Sequence, residues 1–250
     1  MVFSLLELFW NAVPGTILEQ RSNYVKMVRM ANSSRAERRT DALSKERIVE
    51  AAQEILDVGG EKALTFRALA SRLATGAGAI YWHVADKNEL LTTATDAVIA
   101  HVLTDVPEGA EPRDAIRSIA LGLFDAIDVH PWVGDQLAPP APPAMLRIFE
   151  GIGEQVMALG VPKRAQLDCA SALVNYILGV AGQNAANARL AVPGMDRSAY
   201  LDTVAAQWAQ LDPAEFPFLH RVTQQLRDHD DREQFLAGID LILAGIAAVR

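Results

Sequence analysis

Thr65-Phe66-Arg67-Ala68-Leu69-Ala70-Ser71-Arg72-Leu73-Ala74-Thr75-Gly76-Ala77-Gly78-Ala79-Ile80-Tyr81-Trp82-His83 is the stretch from which the rest of the chain can be read. Its spacing predicts two short helices joined by a tight turn. The Thr65 hydroxyl suits the cap of a helix start, and Phe66, Leu69, Ala70 and Leu73 then share one face over two turns. Ala74-Thr75-Gly76 is a turn of small residues, after which a second short helix ends near His83. In a helix-turn-helix the first helix and its partners cover only one face of the second, so the other face is expected to stay open. Ile80 is the inward anchor. Tyr81, Trp82 and His83 follow in succession and cannot all be buried on one side of a helix. Core packing is the ordinary fate of any one such ring, but for the triplet in this geometry exposure is the stronger expectation.

Outward from this unit, apolar residues recur at helical spacing from Ser44 onward, with no sustained period-two alternation, so the expected fold class is all-α. Ser44 caps a helix through about Val58, with Ile48, Ala51, Ala52 and Ile55 on one face and Gly59-Gly60 as its stop. Lys87 to Val102 forms a longer helix with Leu91, Ala94, Val98 and Val102 inward. Pro107 to Pro112 reads as a linker. Beyond it, a helix over Arg113 to Val129 buries Ile116, Ile119, Ala120, Leu123 and Ile127, and His130-Pro131 ends it. A stiff loop holds Pro139, Pro140, Pro142 and Pro143. Helices are then expected over Ala144 to Leu159, Lys163 to Leu190, Ser198 to Gln210, Pro213 to Leu226 and Arg232 to Val249, with a break at Pro193-Gly194.

The 250 residues are half hydrophobic, with 31 acidic and 23 basic side chains and a net charge of -8. That is enough chain for one large or two modest domains with a real core. The single cysteine, Cys169, excludes an intramolecular disulfide framework, so a reducing cytosol is the expected compartment. Charge is distributed unevenly: residues 1–101 hold 12 basic and 12 acidic side chains, and residues 102–250 hold 11 and 19. Arg21, Lys26, Arg29, Arg35, Arg38 and Arg39 form a basic arm interrupted by Glu37 alone. Met1 to Leu18 is apolar, but it lacks a basic start and is broken by Glu7, Asn11 and Pro14, unlike a secretory signal. No run reaches the ~20 apolar residues that span a bilayer, so no membrane association is expected. Met27 and Met30 are alternative starts.

The stretch Leu64-Thr65-Phe66-Arg67-Ala68-Leu69-Ala70, continued through Ala79-Ile80-Tyr81-Trp82-His83-Val84-Ala85-Asp86-Lys87-Asn88-Glu89-Leu90-Leu91, resembles the DNA-binding domain of tetracycline-repressor (TetR) family regulators. The Tyr-Trp-His-Val and Lys-x-x-Leu-Leu pieces are similar to the tetracycline-repressor subgroup itself. The resemblance covers residues 44–99. His130-Pro131-Trp132 and Phe235-Leu236-Ala237-Gly238-Ile239-Asp240-Leu241-Ile242-Leu243 are similar to segments of the family's C-terminal domain.

The resemblance implies that Thr65, Tyr81 and Lys87 contact phosphates, work that suits a hydroxyl at a helix start, a phenol and an ammonium. It implies a base contact for Arg67, most naturally a guanine taken by the guanidinium fork; the ordinary alternative is a surface salt bridge. Trp82 and His83 resemble positions that pack on sugar, phosphate or thymine methyl groups, and a satisfied helix-end histidine is the alternative for His83. The chain departs from the family at Ala77, Gly78 and Ala79, where polar or prolyl residues and a threonine are common. Direct readout is therefore expected to be sparse there, with close backbone approach, alanine methyl contacts or shape readout in its place. The basic arm is expected to enter the adjacent minor groove.

Residues 1–40 thus read as a flexible basic extension, 41–102 as the helix-turn-helix domain with its connecting helix, and 103–250 as a larger ligand-binding and dimerisation domain. Phe124, Trp132, Met145, Phe149, Asn175, Tyr176 and Asn184 are the candidates for a mostly apolar, helix-lined pocket that takes a small apolar or amphipathic effector. Core packing is the better reading for each alone; Asn175 and Asn184 stand out because amides on an apolar helix need partners. The last helix has two apolar faces and, with the Lys163 to Leu190 helix, is expected to form a symmetric four-helix interface in a homodimer on a palindromic operator.

The expected function is therefore a ligand-responsive transcriptional regulator, a repressor released by a small molecule, with no cofactor and no catalytic or metal-binding residues. A sequence-tolerant DNA-binding protein without an effector is the alternative. An enzyme finds little support. Gly76-Ala77-Gly78 and Gly151-Ile152-Gly153 each lack a third glycine, and His83, His101, His130, His220 and His229 include no pair at zinc-helix spacing.

Overall fold

The computed structural model describes residues 43–137, 142–190, 197–227 and 229–249. The basic arm and the Pro193-Gly194 break lie outside the described residues. The helices are α1 (Lys45–Ala63), α2 (Phe66–Arg72), α3 (Ala77–Tyr81), α4 (Lys87–Thr104), α5 (Pro112–Val129), α6 (Pro131–Gln136), α7 (Pro143–Ala158), α8 (Lys163–Leu190), α9 (Arg197–Ala209), α10 (Pro217–Arg227) and α11 (Asp231–Ala248). Among the described residues there is no strand, and no helix is long and apolar enough to cross a membrane.

Local chemistry explains the boundaries. Ser44 Oγ accepts from Arg47 N at 3.3 Å and starts α1. The expected stop at Gly59-Gly60 is a break at Gly60, whose φ of 64° and ψ of -169° suit only glycine, and one more turn carries the chain to Ala63. Thr65 Oγ1 caps α2 by accepting from Ala68 N at 3.1 Å. The turn into α3 places Ala74 at φ 51°, left-handed backbone that a Cβ disfavours. Asp86 caps α4 through Glu89 N at 2.8 Å, and Glu89 reaches back to Ala85 N at 2.7 Å. Prolines begin α5, α6 and α7. Because a proline at a first helical position has no amide to satisfy, Pro131 both ends α5 and opens the six-residue α6.

Packing does not break at residue 102. One compact unit comprises Asp41–Ala185 and Phe235–Arg250, with a continuous core from Ile48 to Ile246. The inward faces expected for α4 and α5 are buried throughout. Late in the chain, Phe235 stacks between Phe124, with centroids 4.7 Å apart, and Tyr176 at 5.7 Å. Tyr176 Oη donates to the Phe235 carbonyl at 3.2 Å. A Cβ on Gly238 would overlap that phenol, so this glycine lets α8 and α11 approach. Burial raises the Tyr176 pKa above the ordinary phenol value. Arg117 joins α5 to α11, donating to Asp240 at 2.8 Å and to Asp114 at 2.8 Å.

The second compact unit includes Ala186–Gln234. Within it, α9 and α10 pair around Leu201, Val204, Ala205 and Leu226, with Trp208 against them. His220 Nε2 lies 2.6 Å from the Leu211 carbonyl and ties the connecting turn to α10.

Candidate nucleic-acid interface

The brevity of α3 shapes this face. A five-residue helix offers one fully inward position, and Ile80 fills it at 0% exposure. The next two rings then point away from the core. Tyr81 is 55% exposed, with one ring face stacked on Phe66 at 4.3 Å and an interplanar angle of 6°, so its direction is set while its phenol stays accessible. Trp82 is 89% exposed and His83 half-buried. Ala77 rests partly on the core, whereas Gly78 is exposed and a Cβ there would meet nothing within 4 Å.

The cations of the head differ in their partners. Arg72 pairs with Glu54. Lys45 pairs with Glu89 at 2.7 Å, an interaction that, with the Ala85 amide, holds the Glu89 carboxyl below its usual pKa. Lys87 donates to the Glu61 carbonyl at 2.7 Å and lies 3.3 Å from its carboxylate, so this expected phosphate contact is at present tied to the end of α1. Arg67 is exposed at the start of α2 and has no acidic partner among the described residues. Thr65 is also exposed; its hydroxyl oxygen accepts from Ala68, which leaves the hydroxyl proton to donate. The structure thus brings Thr65, Arg67, Gly78, Tyr81 and Trp82 to the surface of one unit, with Ala77, His83 and Lys87 partly buried within it. The surface stretch is short in cations, since residues 43–104 hold six Lys and Arg against eight Asp and Glu.

The seven residues expected in a pocket separate. A cavity of about 330 Å³ is lined by Ile127, Gly134, Leu137, Asn175, Leu178, Gly179 and Gly182. Asn175 is the one expected residue on its wall. Phe124 and Trp132 are buried in the core, Met145, Phe149 and Tyr176 pack against it, and Asn184 is half-buried on α8. Phe124 and Trp132 do turn inward, but inward on a helix with neighbours on several sides means core more often than cavity, and Asn175 is exposed. Missed altogether was Asp57, whose Oδ1 lies 2.7 Å from His130 Nδ1 and accepts from Trp132 Nε1 at 2.8 Å. No local pattern marks a pairing across more than seventy residues.

Comparison with known proteins agrees with this geometry. Residues 48–94 match the family described as bacterial regulatory proteins, tetR family, and residues 108–250 match the tetracyclin repressor-like C-terminal domain. An HTH-type transcriptional regulator of Saccharopolyspora erythraea is 34% identical over 139 residues, which span 55% of this chain and 59% of that protein. The solved structure of SCO7222, a TetR transcriptional regulator from Streptomyces coelicolor, is 53% identical, with a TM-score of 0.77 over 83% of this chain and 99% of that one. BioQ of Mycobacterium smegmatis, solved with its double-stranded DNA operator, is 25% identical, with a TM-score of 0.55 over 83% and 99%. The C-terminal match alone takes in more than half of the chain, and together with the helix-turn-helix match it shows that the chain belongs to the tetR family of bacterial regulatory proteins.

Proposed function

We propose that this protein is a homodimeric repressor that reads a palindromic operator through α2 and α3 and is released by a small amphipathic effector. The observation that carries the reading is the open end of α3: an indole 89% exposed directly after a short helix held by a buried anchor, with Arg67 of α2 exposed and without an acidic partner among the described residues. Large apolar surface left uncovered on a rigid element marks a contact surface. Arg67 would fork to a guanine edge, Trp82 and Gly78 would lie against sugar or base, and Thr65, Tyr81 and Lys87 would position the backbone, with Lys87 exchanging Glu61 for phosphate. The excess of acids over cations in the head assigns the remaining phosphate neutralisation to the arm from Arg21 to Arg39.

The division of labour places DNA reading in residues 41–102 and effector binding and dimerisation in 103–250. The cavity supports the effector, since its size lies in the range of small-molecule sites and it offers apolar walls with a single amide, Asn175. The outer face of α11 supports the dimer: Phe235, Ile239, Leu243 and Ile246 are buried, while Leu241 is 75% exposed with Ala244 and Ala248 beside it. Leu167 and Gly179 stand exposed on α8 and supply the other half of a two-fold interface.

The test is an electrophoretic mobility shift with DNA from upstream of the protein's own gene and its neighbours, run against scrambled competitor. A shift that needs both halves of a palindrome and survives excess scrambled DNA supports the proposal. A shift competed equally by scrambled DNA contradicts it and favours sequence-tolerant binding.

A further inference from the structure

We propose that Asp57, His130 and Trp132 form a latch through which the cavity beside α5, α6 and α8 sets the position of the DNA-reading head. The inference rests on the effector-released reading above. Asp57 lies one turn before the Gly60 break, at the end of the helix that carries the head. Its Oδ1 is 2.7 Å from His130 Nδ1 and 2.8 Å from Trp132 Nε1, so two donors from one short segment converge on a single oxygen. A carboxylate only accepts, which places a proton on His130 Nδ1 in this contact. The indole is buried, and Val133 beside it is fully buried, so Trp132 cannot swing without moving its helix.

The same segment walls the cavity. Ile127, Gly134 and Leu137 form one side, and Asn175, Leu178, Gly179 and Gly182 of α8 form the other. A Cβ on Gly134 would stand 3.6 Å from Ile127 Cγ2, so α6 lies directly against the end of α5. At six residues α6 is a single short rod, joined to the end of α5 through one non-helical residue, His130. An occupant that spreads α6 from α8 therefore carries His130 and Trp132 with it. Hydrogen bonds weaken steeply with distance and angle, and the Asp57 carboxylate, already in reach of water, either follows the two donors or exchanges them for solvent. Either outcome changes where the end of α1 rests. A ligand acts on a distant site only through such a difference between two arrangements.

The test replaces the unidentified effector with a side chain. Gly134→Leu grows from α6 into the cavity and serves as a fixed occupant. In the full chain it is expected to lower operator affinity by about tenfold, within the usual range of coupling between sites. In an Asp57→Ala background the same substitution is expected to change affinity by less than about twofold, while its effect on melting temperature is equal in both backgrounds. Trp132→Phe keeps an aromatic side chain, removes one of the two donors and serves as the second background should Asp57→Ala not fold, with a correspondingly partial loss of the coupling expected. An equal loss of affinity with and without the latch overturns the inference, as does no loss in the otherwise native chain. A readout without DNA is amide hydrogen exchange over residues 58–64, expected to quicken in Gly134→Leu only when Asp57 is present. Unchanged or latch-independent exchange overturns the latch, whereas loss of operator discrimination in the native chain overturns the regulatory reading on which it rests.

Discussion

Tyr81 and Trp82 at the end of α3 and Phe124, Tyr176 and Phe235 on α5, α8 and α11 are comparable side chains in opposite surroundings. The first two stand at 55% and 89% exposure, with only Phe66 stacked on Tyr81. Of the other three, Phe124 and Tyr176 both stack on Phe235, and the Tyr176 phenol is bonded to a backbone carbonyl. Helix length makes the difference. A five-residue helix has one inward position and cannot cover a second ring, whereas helices of 18 and 28 residues have neighbours on several sides. The lesson is that aromatic residues become scaffold where long helices enclose them, and stay available for contact where a short helix leaves them uncovered.

The scaffold side of the comparison breaks most readily at Gly238. Gly238→Ala forces a methyl group into the Tyr176 phenol, and a loss of about 3 kcal/mol is expected from overpacking and the disturbed hydrogen bond, read as a fall in melting temperature. Tyr176→Ala in the same chain should remove the clash, so that the Gly238→Ala penalty largely disappears from the double-mutant cycle. A full additive penalty would show that the stacked rings do not fix this approach.

On the exposed side, Arg67→Ala should leave folding unchanged, because the guanidinium has no acidic partner among the described residues. It should cost about 2 kcal/mol of discrimination between the operator and a variant changed at one base pair. Lys87→Ala should instead weaken binding to all sequences alike and reduce the salt slope by about 1. Titrations on both duplexes at several salt concentrations separate the two outcomes. Equal effects on every duplex for Arg67→Ala would move that residue from base reading to phosphate positioning.

Much of the head was legible because its signals are local. Ser44 and Thr65 each cap the helix that follows, and Ile80 follows from helical period alone. The rear of the chain was less legible for physical reasons. Pro131 reads as a terminator, although a proline at a first helical position also starts a helix, and α6 was missed on that account. Phe124 and Trp132 were correctly turned inward but lie in filled space, since period says which face is covered and not whether a void lies behind it. Three of the seven residues on the cavity wall are Gly134, Gly179 and Gly182, whose lack of a side chain carries no pocket signal in sequence.

Two smaller effects sharpen the contrast. Ala74, at φ 51° in the turn between α2 and α3, holds a conformation that favours glycine, and Ala74→Gly should stabilise the head by about 0.5–1 kcal/mol without altering operator affinity. Reduced affinity in that variant would mean that the turn also positions the contact surface. Glu89, held below its usual pKa by Lys45 and by the Ala85 amide, stabilises the start of α4 at pH values above the ordinary carboxylate value of 4.5. That contribution should be lost as the pH falls below 4.5 through the lower folded value, and Glu89→Gln should flatten this part of the stability profile.

The most direct test of the account is a fluorescence anisotropy titration of the intact chain on its own upstream palindrome and on a scrambled duplex of equal length and composition, at one physiological salt concentration. The account predicts a preference of at least about a thousandfold for the palindrome, as specific regulators show over their non-specific binding. Equal affinity for the two duplexes would contradict it and leave the exposed rings of α3 as a general DNA contact.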